Sequence, residues 1–228
     1  MTADGAGRDF TDWNEQMVRR YDIERYYRDS HPVVRWIERR RLDLLQRCAR
    51  AAPRDRVLEI GCGAGHVLAR FDGRDRTGVD LSPAMLDRAR ARLGAGVRLL
   101  RGSAEALPLR TASFDVVLCT EVLEHVPHPD RAIAELMRVA APGARVVVSI
   151  PNEHNIDRAK RIVRSVPGLR RLLKTLADEG NEWHLHRFDA AYLARMTAGT
   201  AAVAEMHGVP AALLPLRYVA VLRPPANH

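Results

Sequence analysis

Apolar residues occur along the chain in short continuous runs that alternate with longer amphipathic stretches. Runs at 57–60, 97–100, 114–119 and 144–150 are bounded by glycine, proline or polar residues, as is typical of strands buried on both faces of a sheet. Between them, apolar residues recur every three or four positions, which predicts helices. This alternation of strand and helix predicts an α/β fold with a mostly parallel sheet.

Helix boundaries follow from the residues that cap helices. Thr11 is expected to cap a helix after a disordered leader at 1–8, and Ser82-Pro83 combines a serine cap with a proline in the first turn. The helices predicted in this way run over 11–27, 32–50, 83–93 and 129–140, with another beginning near Gly65.

The last third of the chain is less regular. Strands are predicted at 200–206 and 216–222, separated by a loop because Pro210 and Pro215 cannot occupy a central strand. Before them, residues 156–176 predict a basic amphipathic helix pair, broken at a Pro-Gly dipeptide. Such a basic face either is simply solvated or contacts an anionic substrate, a carrier protein or a membrane surface.

A glycine turn follows the first strand. Gly61, Gly63 and Gly65 stand at alternate positions, which lets the backbone turn sharply and approach a ligand closely. The next strand ends at Asp80, 19 residues after Gly61, where a carboxylate can accept both hydroxyls of a ribose. Glycine turn and acid together indicate a nucleotide-type pocket.

Two residues indicate which nucleotide. A dinucleotide fingerprint reads G-x-G-x-x-G, and His66 holds the place of its third glycine. Glu59 puts a carboxylate beside the turn, which repels a pyrophosphate but suits a cofactor that carries an ammonium and a sulfonium. S-adenosylmethionine is such a cofactor.

With these motifs, residues 54–152 resemble the class I S-adenosylmethionine-dependent methyltransferases, and more closely the small single-domain branch that includes the ubiquinone and menaquinone methyltransferases. The resemblance implies a three-layer sandwich whose seven-stranded, mostly parallel sheet ends in an antiparallel hairpin. It also implies an N-terminal helical cap at 1–52, a cofactor-binding core at 53–152, a helical insertion that acts as an acceptor lid at 153–198, and the final two core strands at 199–228.

The resemblance also implies a set of cofactor contacts. Residues 102–109 look like the family's adenine-binding turn, although Ser103 stands where the family commonly has aspartate. The Ser103 hydroxyl can still form a hydrogen bond with the adenine amino group, and the Ala104 amide can form one with a ring nitrogen. Residues 120–126 resemble the family's segment between cofactor and acceptor. The residues expected to bind the cofactor are Glu59, Gly61, Cys62, Gly63, Gly65, Asp80, Leu81, Ser103, Ala104, Glu105 and Thr120.

A sulfonium is already an activated leaving group, so alignment of the acceptor does most of the catalytic work, and a base helps only an acceptor such as a hydroxyl. His125 and His186 are the candidate bases; the alternative is that they cap or pack a turn.

If residues 182–188 are extended, Glu182, His184 and His186 share one face and imitate a metal site. The spacing matches no metal signature and the resembling branch uses no metal, so none is expected.

The acceptor pocket is expected between the leading helices and the long insertion. Aromatic residues are concentrated in the leading helices, although the chain is only 5% aromatic. The alternative is that these rings pack on the sheet or on each other. The residues expected to line the acceptor pocket are Tyr21, Tyr26, Tyr27, His154, Trp183 and His184.

Composition narrows the range of partners. The net charge of +8 is compatible with binding to nucleic acid. However, nearly all the positive residues are arginines and only Lys160 and Lys174 are lysines, which favours the codon bias of a GC-rich genome as the origin of the charge. Few aromatics are available to stack bases, and the Asn/Asp-Pro-Pro-Tyr and Pro-Cys motifs of nucleic-acid methyltransferases do not follow strand four, so nucleic acid is not favoured. The three cysteines have no metal spacing and the N terminus is polar, which together predict a cytoplasmic protein. No apolar run approaches the ~18 residues that a transmembrane helix needs, so no transmembrane segment is predicted.

The sequence therefore predicts a methyltransferase that uses S-adenosylmethionine, releases S-adenosylhomocysteine and acts on a small molecule in bacterial specialised-metabolite, quinone or envelope-precursor biosynthesis. Methylation of oxygen or nitrogen is favoured over methylation of carbon. Two alternatives stay open at this point: an RNA methyltransferase, and a non-catalytic regulator that binds the cofactor. The sequence does not specify the acceptor or the oligomeric state.

Overall fold

A computed structural model describes residues 3–20, 30–165 and 183–224. The helices in these ranges are α1 (Ala3–Arg20), α2 (Pro32–Ala49), α3 (Pro83–Leu93), α4 (Pro129–Val139), α5 (Glu153–Ser165) and α6 (Ala190–Thr197). The strands are β1 (Arg56–Ile60), β2 (Asp75–Asp80), β3 (Val97–Arg101), β4 (Phe114–Thr120), β5 (Ala140–Pro151), β6 (Ala202–Val209) and β7 (Arg217–Arg223). A short 3₁₀ helix, Leu68–Phe71, lies between β1 and β2.

The strands form one seven-stranded sheet in the order β3-β2-β1-β4-β5-β7-β6. Strands β1 to β5 run parallel, whereas β7 is antiparallel to both β5 and β6. This confirms the predicted fold class, including the antiparallel hairpin at the edge. In β1, Ile60 pairs with Val79 of β2 and Cys119 of β4, so Gly61, Asp80 and Thr120 meet at the carboxyl edge of the sheet, where open α/β sheets bind ligands.

Alternate side chains of β1 enter two different cores. Val57 packs with Leu45 of α2 and Leu68 on one face, and Leu58 packs with Leu136 of α4 on the other. All are fully buried, and burial of each such side chain contributes ~1.5–3 kcal/mol. The leading helix α2 is therefore one layer of the sandwich as well as part of the predicted cap.

The predicted helix after the glycine turn does not form. Only 14 positions separate Gly61 from Asp75, where β2 begins, and Gly73 turns the chain with a φ of +77°. Within that length the chain makes the single 3₁₀ turn, which buries Leu68 and Phe71 against the sheet. The amides that face a ligand here come from the glycine turn itself and not from an α-helix.

Other boundaries differ by a few residues. Helix α1 begins at Ala3, not at Thr11, and the expected leader from residue 3 onward is helical; no proline interrupts that stretch, and a helix tolerates glycine at modest cost. Strand β5 begins at Ala140, ahead of the apolar run at 144–150, and the chain passes through Gly143 within it at a φ of +80°. Helix α3 has the predicted bounds, because the Ser82 hydroxyl accepts the Met85 N–H at 3.2 Å.

Candidate active site

A cavity of about 810 Å³ opens at the carboxyl edge of the parallel strands. Its volume falls within the ~300–1,000 Å³ that is usual for small-molecule pockets. One end is lined by Gly61, Gly63 and Asp80, and the other by residues of α1, α2, α5 and the segment that begins at Trp183. The two regions that the sequence assigns to cofactor and acceptor thus share one continuous cavity.

The three glycines of the turn have different roles. All have positive φ, at +65° for Gly61, +49° for Gly63 and +79° for Gly65. A Cβ at Gly61 would lie 2.3 Å from Val122, and one at Gly65 would lie 2.7 Å from Leu93, so both positions are close-packed. A Cβ at Gly63 would meet nothing within 4 Å. Gly63 lines the cavity and Gly65 does not. The backbone at Gly63 is therefore open to a ligand, whereas Gly65 lets α3 pack against the turn.

Asp80 holds the turn and the end of β2 together. Its Oδ2 accepts the Gly63 N–H at 2.7 Å, and its Oδ1 accepts the Ser82 N–H at 2.9 Å. Burial raises the pKa of Asp80, and the two N–H donors partly offset this effect. The carboxylate lines the cavity, and its remaining lone pairs can accept two hydroxyls of a ribose.

Glu59 is a carboxylate placed almost wholly inside the protein, with 1% of its surface exposed. Burial raises its pKa to about 8, although hydrogen bonds from Leu68 and Thr120 and the charge of Arg41 oppose this shift. Its Oε2 has no hydrogen-bond partner in the described ranges. Because Glu59 lines the cavity beside the glycine turn, its unpaired oxygen can accept a hydrogen bond from the ammonium of an amino-acid moiety.

The turn that the sequence assigns to adenine lies at the same end. Ser103 and Ala104 line the cavity together with Cys62, Leu81 and Thr120. The Ser103 hydroxyl accepts the Glu105 N–H at 3.2 Å, which stabilises the turn. The Glu105 carboxylate is not among the cavity-lining residues; it accepts the His128 N–H at 2.8 Å. Of the residues expected to bind the cofactor, Gly65 and Glu105 are the two that do not line the cavity.

His125 lies in the cavity wall after β4, as expected. Its Nδ1 is 3.1 Å from the Trp183 carbonyl oxygen, and its ring centroid is 4.8 Å from that of Trp183 and 4.9 Å from that of His184. A carbonyl can only accept, so Nδ1 carries the proton and donates, and Nε2 is left as an acceptor. Burial and then the charge of His184 lower the pKa of His125 to about 4, so the ring is neutral at neutral pH.

The structure separates the histidines that an extended strand would have placed on one face. The N–H groups of Leu185 and His186 both donate to the Glu124 carbonyl oxygen, at 2.8 and 3.3 Å, so the chain turns there. His184 lines the cavity, but His186 does not. The His186 Nε2 is 2.9 Å from the Val126 carbonyl oxygen, and its Nδ1 is 3.1 Å from the Tyr192 hydroxyl. Both ring nitrogens of this candidate base are thus engaged in holding the turn after β4.

The other expected acceptor contacts fall in three places. Trp183 lines the cavity together with His184. His154 is exposed on α5 and is not among the cavity-lining residues. Tyr21, Tyr26 and Tyr27 lie outside the described residues.

A partly buried ionic network at the acceptor end was not predicted. The Glu121 Oε1 accepts a hydrogen bond from the Ser149 hydroxyl at 2.8 Å, and its Oε2 accepts one from Arg217 at 2.8 Å. Burial acts to raise the pKa of Glu121, but the charges of Arg217 and Arg41 outweigh it and hold that pKa below its usual value. Glu121 has a φ of +54°, a left-handed conformation that costs ~1–3 kcal/mol in a residue other than glycine.

Glu124 was also missed as a site residue. It lines the cavity with 1% of its surface exposed, and burial followed by the charge of Glu121 raises its pKa well above the usual value. The signal that could have found it is the Glu-x-x-Glu-His spacing directly after β4. That spacing places both carboxylates in one turn at the sheet edge, beside His125.

Comparison with known proteins identifies the family. Residues 58–148 match a family model described as a methyltransferase domain. The ubiquinone biosynthesis O-methyltransferase of Hahella chejuensis is 34% identical over 198 residues, which cover 84% of this chain and 79% of that protein. The chain belongs to the class I S-adenosylmethionine-dependent methyltransferases. This methyltransferase is also 31% identical over 159 residues to the trans-aconitate 2-methyltransferase of Methylobacterium radiotolerans, covering 68% of this chain and 55% of that protein.

Solved structures show the same methyltransferase fold. A chain in the Haloferax volcanii complex of the Trm112 activator with a methyltransferase aligns with a TM-score of 0.68 at 21% identity, covering 97% of this chain and 98% of that chain. S-adenosylmethionine is the cofactor of this family, and the residues here fit it. The open backbone at Gly63, the Asp80 carboxylate and the unpaired oxygen of Glu59 suit its carbon chain, ribose and ammonium. In the described ranges, no helix is both long and apolar enough to cross a membrane.

Proposed function

We propose that this methyltransferase transfers the methyl group of S-adenosylmethionine to a hydroxyl oxygen of a small, partly apolar acceptor. The observation that carries the proposal is the single cavity of about 810 Å³ that joins the cofactor residues to a mixed acceptor end. That end combines apolar side chains with a polar cluster next to the turn after β4. The apolar members include Val34, Ile37, Ile156, Val163, Trp183 and Leu216, and the polar members include Glu121, Glu124, His125, His184 and Arg217.

Oxygen is favoured over nitrogen by two considerations. The Hahella chejuensis relative is named as an O-methyltransferase of ubiquinone biosynthesis. The acceptor end also holds a neutral imidazole nitrogen, His125 Nε2, that can accept the hydrogen bond of a hydroxyl. On this basis we place the reaction in the biosynthesis of a bacterial quinone or specialised metabolite, in the cytoplasm.

In the proposed reaction the acceptor oxygen attacks the methyl carbon in line with the carbon–sulfur bond. The oxygen–carbon bond forms, the carbon–sulfur bond breaks, and its electron pair stays on sulfur, which gives S-adenosylhomocysteine. The hydroxyl proton is released to solvent water as the ether forms. Because the pKa of His125 is about 4, complete proton transfer to this ring before methyl transfer is unfavourable. Alignment of the acceptor, which can lower a barrier by ~7–11 kcal/mol, then supplies most of the rate.

An acceptor panel tests the proposal. Formation of S-adenosylhomocysteine would be followed with an ortho-dihydroxy aromatic that bears an alkyl chain, its ortho-amino analogue, trans-aconitate and bulk tRNA, and methylated products would be located by mass spectrometry. We expect the dihydroxy compound to give the highest kcat/KM and to be methylated on oxygen. Faster turnover of the amine or of trans-aconitate would overturn the choice of oxygen, and turnover of tRNA alone would overturn the small-molecule assignment.

A further inference from the structure

The turn at residues 102–109 lies between β3 and β4 and belongs to neither strand, yet both of its ends are held firmly. At its beginning, the Gly102 N–H donates to the Asp80 carbonyl oxygen at 3.0 Å. A Cβ added at Gly102 would lie only 2.7 Å from Pro108, so the two ends of the turn are also packed against each other. The first residue of the turn is therefore fixed to the end of β2.

Two side chains of α4 hold the far end of the turn. The Glu135 Oε2 accepts the Leu107 N–H at 2.7 Å. Arg138 donates to the carbonyl oxygens of Leu107 and Leu109, at 3.2 and 2.8 Å. Three backbone groups of the turn are thus satisfied by two side chains that stand one helical turn apart on α4.

Glu135 and Arg138 also fix each other. The guanidinium donates to both carboxylate oxygens, at 2.6 and 2.7 Å, which is the two-pronged geometry that makes arginine–carboxylate pairs rigid. The hydrogen bond from Arg138 lowers the pKa of Glu135 although partial burial opposes the shift. An exposed ion pair by itself adds little to stability, at most ~1 kcal/mol. The distinctive feature of this pair is its set of bonds to the backbone of the turn.

The part of the turn between its two anchored ends faces the cavity. Ser103 and Ala104 line it, and the Ser103 hydroxyl, which accepts the Glu105 N–H at 3.2 Å, keeps a lone pair for another donor. Ala104 is 9% exposed, and its N–H donates to no group in the described ranges. Buried backbone N–H groups without a partner are rare, so this amide is suited to an acceptor atom on a ligand.

A fixed N–H at this place distinguishes two purines. Adenine has a lone pair on N1 and a donor at C6, whereas hypoxanthine has a hydrogen on N1 and an acceptor at C6. The Ala104 amide and a Ser103 lone pair match adenine, but in hypoxanthine the amide meets a second N–H. The mismatch is costly only if the amide stays in place, because a mobile turn would move away from it.

We propose that Glu135 and Arg138 are positioning residues that set the selectivity of the cofactor site for adenine over hypoxanthine. Neither residue lines the cavity; both act through Leu107 on the backbone at Ala104. The inference depends on the cofactor of the family and not on the proposed O-methylation, and it involves no acceptor.

Helix α3 carries a matched control. Asp87 and Arg90 form an acid–arginine pair with the same spacing of three residues, at 2.8 Å. Both side chains are largely exposed, and in the described part of the chain their only hydrogen bond is to each other. Loss of this pair removes the same charges from a helix surface without releasing a turn.

Calorimetric titration of the whole chain with S-adenosylhomocysteine and with S-inosylhomocysteine, which differs only at the purine C6 position, tests the proposal. The wild-type protein should prefer the adenine compound by ~10–100-fold, the effect of one lost hydrogen bond and one unpaired donor. In Glu135→Ala and Arg138→Ala the preference should fall below ~5-fold, mainly through weaker binding of the adenine compound. Glu135→Gln keeps an oxygen for the Leu107 N–H and should retain most of the preference, and Asp87→Ala should retain all of it.

The ratio of the two affinities separates positioning from simple stabilisation. If Arg138→Ala weakens both ligands equally and leaves the ratio unchanged, the pair is merely structural and the proposal is wrong. A wild-type ratio near one would also overturn it, because the turn would then not read the base. Thermal unfolding checks each variant. If Arg138→Ala does not fold, Arg138→Lys carries the test, since it keeps the charge, loses the two-pronged geometry and should give an intermediate ratio. Failure of hydroxyl acceptors to be methylated would leave these results unchanged, so the two proposals can fail separately.

Discussion

The backbone N–H of Gly63 donates to the Asp80 carboxylate at 2.7 Å. This hydrogen bond closes the glycine turn after β1 onto the end of β2, and the same carboxylate accepts the Ser82 N–H at the start of α3. One side chain therefore sets the geometry of the cofactor end of the cavity before any ligand arrives. The bond also joins the two motifs, 17 positions apart in the sequence, into one site.

Replacing Asp80 should weaken both cofactor binding and the fold around the turn. In Asp80→Ala, binding of S-adenosylhomocysteine should weaken by ~1.5–3 kcal/mol for each charge-assisted hydrogen bond lost, and the melting temperature should fall because two N–H groups lose their acceptor. Calorimetry and thermal unfolding measure the two effects. Asp75→Ala, an exposed residue at the other end of β2, should change neither; equal losses in both variants would contradict the assignment.

The glycines predict a separation of binding from stability. Gly63→Ala directs a methyl group into the open space of the cavity and should reduce cofactor affinity at least tenfold with modest destabilisation. Gly65→Ala forces Cβ to within 2.7 Å of Leu93 and should destabilise the protein by ~1–3 kcal/mol, the usual cost of overpacking. Denaturant unfolding and ligand titration distinguish these outcomes.

Gly73→Ala provides the control for backbone strain alone, because Gly73 has a φ of +77° and nothing within 4 Å of an added Cβ. Its loss of stability should be smaller than that of Gly65→Ala, and its cofactor affinity should equal the wild-type value. If the three variants behave alike, strain at positive φ and not the surroundings decides the outcome.

Glu59 should make the stability of the ligand-free protein fall with rising pH. Its pKa is about 8 in the folded protein against 4.5 ordinarily, so between these values the folded state binds more protons than the unfolded state. The cost of ionising the buried carboxyl is absent below pH 4.5, grows across this window and is complete above pH 8, where it reaches at most about 5 kcal/mol. Glu59→Gln should remove this part of the slope in denaturant unfolding from pH 5 to 9. The same slope in Glu59→Gln and in the control Asp75→Asn would show that other groups cause it.

The two candidate catalytic histidines should respond in opposite ways. His186→Gln loses contacts with the Val126 carbonyl and the Tyr192 hydroxyl and should lower stability by ~1–3 kcal/mol while kcat per folded molecule stays near the wild-type value. His125→Gln should keep cofactor affinity and lower kcat, because the acceptor hydroxyl loses the Nε2 acceptor that aligns it. Thermal unfolding, S-adenosylhomocysteine binding and turnover of the best acceptor separate the two. A large loss of kcat in folded His186→Gln would restore it as a candidate base.

The sequence was sufficient for the features that depend on neighbours along the chain. Buried runs predict the strands, Ser82-Pro83 predicts the start of α3, and the spacing from Gly61 to Asp80 predicts a nucleotide pocket. Each of these patterns lies within a single turn or a single strand–turn–strand unit, so it can be recognised from neighbouring residues alone. The 3₁₀ turn at Leu68–Phe71 was mistaken for an α-helix because helical periodicity does not show where a short connection must end.

Only the tertiary structure decided which residues meet at the acceptor end. His184 reaches His125 across 59 positions of sequence because the Glu124 carbonyl accepts the N–H groups of Leu185 and His186, and no local pattern encodes that turn. The same contact directs His186 away from the cavity. The roles of Gly63 and Gly65 also diverge only in space, since one faces the open cavity and the other faces Leu93. Local chemistry thus determined the cofactor, whereas long-range packing determined the groups that surround the acceptor.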